Sequence, residues 1–228
     1  MRRLSVGLLL LLFAACAPPQ ISVRHLPIPH RAPRPRRSAY RFRVLATTVP
    51  NEIRHDLSLR EIALMPGATG SDLRTQGLTT IRHAVATHTR FETTTRSLFV
   101  KAWFDDVIVV VAISSVIIHI PTEYAEGSCE YEAVLAHERE HGKLARENAA
   151  DLAGEIEAEI SWASGLPTRK NPMESPDHTA VEEILKASIS RITDPIYERY
   201  ELDEKREQAA LDRPDPYNVV YRKCRGWK

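Results

Sequence analysis

No apolar run in this sequence is long enough to cross a bilayer as a helix, which takes about 20 residues, so an integral membrane bundle is excluded. An excess of charge of one sign is missing too. Lysine and arginine number 31 against 30 acids, which removes the electrostatic reason to expect nucleic acid as a partner. No internal repeat is apparent, which excludes a solenoid. Cysteine is scarce, with three in 228 residues, so few pairings need be weighed. The length suits one sizeable core and a single domain after processing.

What is present begins with export grammar. "MRRLSVGLLLLLFAACAPP" has two arginines, a short apolar run from Val6 to Phe13, and small residues up to Cys16. Phe13-Ala14-Ala15-Cys16 resembles the bacterial lipobox, with Phe13 where an aliphatic residue is usual. The resemblance implies a signal peptide over 1–15 and a lipid on Cys16. Ala17, in place of an aspartate, implies an outer-membrane lipoprotein facing the periplasm. A freely secreted form is the alternative. Residues 16–38, dense in proline and arginine, read as an extended tether, leaving a single domain over 39–228. In an oxidising compartment the two remaining cysteines, Cys129 and Cys224, are expected to pair. Closing that loop is worth on the order of 4 kcal/mol in the chain-entropy model.

Along the domain, Tyr40, Phe42 and Val44 alternate with Arg41 and Arg43, the pattern of a half-buried strand. "NEIRHDLSLREIALMPG" suits a short helix and a turn. "GLTTIRHAVATHTRFETTTRSLFVKAWF" is rich in strand formers. "DDVIVVVAISSVIIHIPTEY" reads as two short strands either side of Ser114 and Ser115, as a hairpin or as neighbours. Glu130 to Trp162 contains no proline and predicts a long helix, stopped by Gly165 and Pro167. Two more helices are expected, Thr179 to Thr193 and Pro195 to Leu211. Strands followed by helices predict an α+β fold. "YERYELDEKREQ" reads as a solvated helix face.

The long helix carries "HEREH". On a helix, His137 and His141 lie one turn apart on one face and can grip one zinc ion, with Glu138 placed to act on water at the metal. The apolar stripe Val134, Ala145, Ala149, Leu152, Ile156 and Ala163 takes in Glu138 and is edged by both histidines, whereas Arg139, Glu140, Arg146 and Glu147 point away. Inward imidazoles and a carboxylate must be satisfied by a metal or by a polar network. The third ligand is open. Glu147 faces the wrong way on an unbroken helix, and Asp151 lies about 15 Å up the axis from His141. His178, an acid on the later helices, Asp212 and Asp215 remain. The paired cysteines would favour the tail. His83, His88 and His119 read as structural or solvent-facing, and Trp103 and Phe104 as packing residues.

Several stretches together resemble a bacterial family of secreted, zincin-like proteases predicted to depend on zinc through HExxH. They are "YRFRVLATTVPNEIR", "GLTTI", "VIVVVAISSVIIHIP" and, above all, "AVLAHEREHGKLARENAADLAGEI". The family pattern closes with an aspartate and then Thr-x-His-Gly. Here "QAALDRPDPYNVV" matches the aspartate with Asp212 and lacks the histidine, so an acid such as Asp215 replaces it or the site is incomplete. The resemblance implies a zinc metallopeptidase of the cell envelope acting on peptide or protein substrates. It also implies, by analogy with zincins, that Val116 to Ile120 is an edge strand aligning the substrate. Two rivals remain: a non-catalytic envelope lipoprotein whose HEREH helix holds a polar network, and a structural zinc with four protein ligands.

Overall fold

The computed structural model describes residues 40–68, 75–96 and 98–213, with Cys224. The stretches read as a signal peptide and a tether, with Cys16, and Asp215 lie outside the described residues. The elements run β1 (Arg41–Thr47), β2 (Glu52–Arg54), α1 (Leu59–Ala63), β3 (Leu78–Arg96), β4 (Phe99–His119), α2 (Cys129–Trp162), β5 (Met173–Ser175) and α3 (Ala180–Leu211). This is the expected α+β arrangement, a five-stranded mixed sheet followed by two long helices.

The sheet is organised around β4. Along one side of it, β3 pairs antiparallel over almost its whole length. The other side is taken in succession by β5 at Val100 to Ala102, by β1 at Asp106 to Ala112 and by β2 at Ile117 to His119, the last two parallel. Among the described residues, nothing pairs with the outer edge of β3. Alternate residues of β4 are buried, but the parity changes twice: Val100, Ala102 and Phe104, then Val107, Val109, Val111 and Ile113, then Val116 and Ile118. Each change falls at a register shift against β3, where Asp105 and Ser114 are the extra residues. Ser114 donates to the Arg82 carbonyl at 3.3 Å, and Asp105 accepts from Arg90 Nε at 2.6 Å. The two runs around Ser114 and Ser115 are therefore one strand with a bulge, not two strands; the serines mark where the inward face switches phase.

Helix α2 starts at Ser128, whose hydroxyl accepts from the Tyr131 amide at 3.1 Å. Its inward stripe of Val134, Ala145, Ala149, Leu152, Ile156 and Ile160 packs on β4, and each large member contributes about 1.5–3 kcal/mol by leaving water. Gly142 lets the helix come close. A Cβ there would stand 3.1 Å from Val116 Cγ1 and from Asn51 Oδ1.

The two later helices are one. α3 runs through Pro195, where a proline removes a backbone donor and costs about 3 kcal/mol in a helix interior. Thr193 donates its hydroxyl to the Ile189 carbonyl at 3.4 Å beside that point, and Val181, Leu185, Ile189 and Ile196 bury one continuous face across it. Packing on both sides of the proline holds the helix through it. At its C-terminal end α3 lies along α2, with Asn148 Nδ2 donating to Glu204 at 2.5 Å and to Glu207 at 2.7 Å. Cys129 and Cys224 are bonded, with Cα atoms 5.5 Å apart, as expected.

Candidate metal centre

The i, i+4 spacing of His137 and His141 places both imidazoles on the side of α2 that meets the end of α3. The residue capping α3 is Asp212. Asp212 Oδ1 lies 3.1 Å from His137 Nε2 and 3.2 Å from His141 Nε2, and the two Nε2 atoms are 3.1 Å apart. Three candidate ligand atoms thus form a nearly equilateral triangle. Donor atoms held at about 2.0–2.1 Å by a tetrahedral ion would stand about 3.3–3.4 Å apart, close to what is seen. His137, His141 and Asp212 form a group that could hold a metal ion.

Gln208 argues for a cation in that triangle. Its Nε2 donates to the His141 carbonyl at 3.2 Å and to Glu204 Oε1 at 2.7 Å, so its Oε1 is the atom facing the ring, 2.6 Å from His141 Nδ1. An amide oxygen only accepts, so in neutral His141 the proton sits on Nδ1 and Nε2 carries a lone pair. That lone pair faces the Asp212 carboxylate. Two electron-rich atoms at 3.2 Å call for a proton or a metal ion between them, and a ligating histidine is typically oriented through its other ring nitrogen in this way. Glu204, 7% exposed, anchors Gln208 in turn.

The titration behaviour of the free site reflects the same proximity. For His141, burial opposes the charge, but hydrogen bonds with Asp212 and Gln208 and the carboxylates of Glu138 and Asp212 outweigh it and raise the pKa. For Asp212, burial pushes upward, yet hydrogen bonds to His137 and His141 and their charge hold the carboxyl well below the usual range.

Glu138 is 3% exposed, and the Thr79 hydroxyl lies 2.8 Å from its Oε2 and 3.0 Å from its backbone carbonyl. Gly77 is what lets β3 approach. A Cβ there would fall 2.5 Å from Val134 Cγ1 and 3.0 Å from Glu138 Oε1. Glu138, His141 and Asp212 all line one cleft of about 540 Å³ between β3 and α3.

Of the candidates for third ligand, Asp212 is the one brought to the histidines. His178 is exposed in the turn before α3, at the opposite end of that 32-residue helix. Asp215 lies outside the described residues. Val116 to Ile120 is not an edge. Its β4 residues are flanked by β2 on one side and β3 on the other, and the strand bordering the cleft is β3. "YERYELDEKREQ" is solvated on one side only: Glu204 is buried and Gln208 contacts His141. Gly77 and Thr79 fall in the "GLTTI" stretch, which by itself gives them no role, and residue type does not single out Gln208 and Glu204, although Glu204, Gln208 and Asp212 repeat every four residues, a helical face that points back to the HEREH helix. His88 is exposed, His83 packs edge-on against Tyr197 and Tyr200 at the wall of the cleft, and His119 is buried, its Nδ1 without a hydrogen bond among the described residues. Trp103 and Phe104 are buried packing residues, as expected.

No family model matches the chain, and comparison with curated proteins and with solved structures finds no match. The likeness to secreted zinc-dependent proteases therefore rests on this chain's own residues.

Proposed function

We propose that the protein is a zinc-dependent peptidase of the bacterial cell envelope, tethered through a lipid on Cys16, with His137, His141 and Asp212 as zinc ligands. The observation that carries this reading is the triangle of Nε2, Nε2 and Oδ1 atoms at 3.1–3.2 Å, opening into the cleft that also holds Glu138. Two imidazoles and a carboxylate suit zinc. Three protein ligands leave a position for substrate or water, which favours a catalytic over a structural ion. When bound, the ion supplies Lewis acidity, polarising a carbonyl and making water nucleophilic near neutral pH.

The chain's own groups do the rest. Glu138, held by Thr79, accepts a proton from the attacking water and delivers it to the departing amine nitrogen. Gln208 keeps His141 in the ligating tautomer. The edge of β3 that no strand pairs among the described residues offers backbone donors and acceptors to an extended peptide, as an added strand would require. The disulfide supports an oxidising, extracytoplasmic location, and no described helix is long and apolar enough to cross a membrane.

A second reading has one observation in its favour: with a proton on His141, the His–Asp contacts form a satisfied hydrogen-bond network without any ion. Metal analysis of protein purified without chelators separates the two. One zinc per chain, lost in Asp212→Ala, together with peptide hydrolysis abolished in a zinc-retaining Glu138→Gln variant, is the expected result. Zinc far below stoichiometry, or activity surviving Glu138→Gln, would overturn the peptidase reading.

A further inference from the structure

We infer that the groove between β3 and α3 contains a subsite for a basic side chain of an extended peptide, formed by His83, Tyr197 and Glu201. This rests on the peptidase reading and adds to it the kind of residue the substrate carries.

The groove is longer than the metal centre needs. A second cavity of about 270 Å³, lined by Val85 and Thr87 of β3 and by Tyr197 and other residues of α3, follows the first along the same strand and the same helix. One wall is the alternating series Thr79, Ile81, His83, Val85 and Thr87, which a period of two places on one face of β3. His83 and Glu201 stand at the end of the first cavity and Tyr197 in the second, so the three mark where the cavities meet. From Thr79, beside the Glu138 carboxylate, to His83 is four residues of strand, about 13–14 Å. A peptide lying along β3 would therefore bring to this point a side chain roughly four residues from the bond being cut.

The chemistry there is aromatic and acidic. The rings of Tyr197 and Tyr200 stack at 6.1 Å with an interplanar angle of 22°, and His83 meets them edge-on at 6.0 and 5.4 Å. Glu201, its side chain 53% exposed, reaches to 3.9 Å from His83 Nε2. Four carboxylates line the larger cavity, Glu138, Glu201, Glu204 and Asp212, against one ammonium, Lys205, which lies a turn nearer Asp212; the smaller cavity is lined by Asp194 and by Lys186, which is eleven residues along α3 from Tyr197 and paired with Glu182 at 2.7 Å. Burial above all, and then Glu204, Tyr197 and the carboxylates of Glu201 and Glu207, push the Tyr200 phenol well above its ordinary pKa. A phenol face beside an exposed carboxylate fits a guanidinium, which stacks on the ring and pairs with the acid. An acidic side chain would meet Glu201 unfavourably.

The test uses full-length zinc-loaded protein carrying Glu138→Gln, so that binding is read without turnover. The probes are short fluorescein-labelled peptides on an alanine, serine and leucine background. A single arginine is stepped along them, with citrulline as the neutral isostere in matched controls, and binding is read by anisotropy at physiological ionic strength. One arginine position is expected to bind about five- to tenfold tighter than its citrulline control. Adding Glu201→Gln or Tyr197→Leu should bring that ratio close to one while the melting temperature stays within a few degrees. Equal binding of arginine and citrulline peptides at every position, or a preference that survives both substitutions, overturns the subsite. Unsubstituted protein then tests the parent reading separately. If it cuts no peptide yet the arginine preference stands, the peptidase assignment fails and the subsite does not. If it cuts peptides without regard to arginine, the reverse holds.

Discussion

Replacing Gln208 with leucine tests whether a residue outside the triangle controls the metal centre. Gln208 Oε1 accepts the His141 Nδ1 proton at 2.6 Å, and the His141 side chain is only 11% exposed, so water has little access to replace the lost acceptor. In the variant, ligation through Nε2 forces an Nδ1–H into a site with no partner, at a cost of about 1–3 kcal/mol for a buried unsatisfied donor. The ring can escape that cost by moving the proton to Nε2, where it blocks the metal. Either way zinc affinity should fall roughly fivefold to 150-fold, which brackets the range typical of groups that orient a ligating histidine. The assay is competition for zinc against a chromophoric chelator, with far-UV circular dichroism confirming that the helices persist. Affinity within a factor of about two of the unsubstituted protein, in a folded variant, refutes the tautomer argument.

Asp212→Ala, which removes a ligand rather than its support, should reduce zinc affinity by more than the roughly 150-fold upper bound expected for Gln208, read in the same competition assay. Gly77→Ala places a Cβ 2.5 Å from Val134 Cγ1 and 3.0 Å from Glu138 Oε1; about 1–3 kcal/mol of stability should be lost in urea titrations, and hydrolysis should suffer while zinc is retained. Cys129→Ser should cost about 2–5 kcal/mol in the same titrations, and reductant should lower the midpoint of the unsubstituted protein but not of the variant. The pH dependence has a sign of its own. In metal-free protein the raised pKa of His141 contributes stability present below about 6.5 and lost as pH rises through the folded value. The depressed pKa of Asp212 contributes stability present above about 3.9 and lost on acidification. Their joint contribution should therefore peak between those values without zinc, whereas the stabilisation added by zinc should grow with pH as His141 deprotonates.

The parts of this molecule that could be read from the chain are those in which a local period survives. The HEREH helix kept a 3.6-residue repeat from Val134 to Ile156, so its extent, its buried face and the inward turn of Glu138 were all legible. β4 was misjudged because Asp105 and Ser114 each shift the inward parity by one, and a broken alternation looks like a strand end. α3 was split at Pro195 because propensity is local, whereas the packing of Val181, Leu185, Ile189 and Ile196 that carries the helix through is not. Asp212 could be named only as one of several acids, since the meeting of residues 71 and 75 positions apart is a property of how α2 and α3 dock. Gln208 and Gly77 carried no signal by residue type. Their meaning comes from which atoms stand opposite them.

Because the third corner of the triangle is the residue that caps α3, the candidate metal group is completed late in synthesis. A chain emerging from the ribosome presents the HEREH helix well before residue 212 is made to complete the group. Until α3 has folded back along α2, the group has only two of its three members, so an incomplete chain cannot grip an ion through all three.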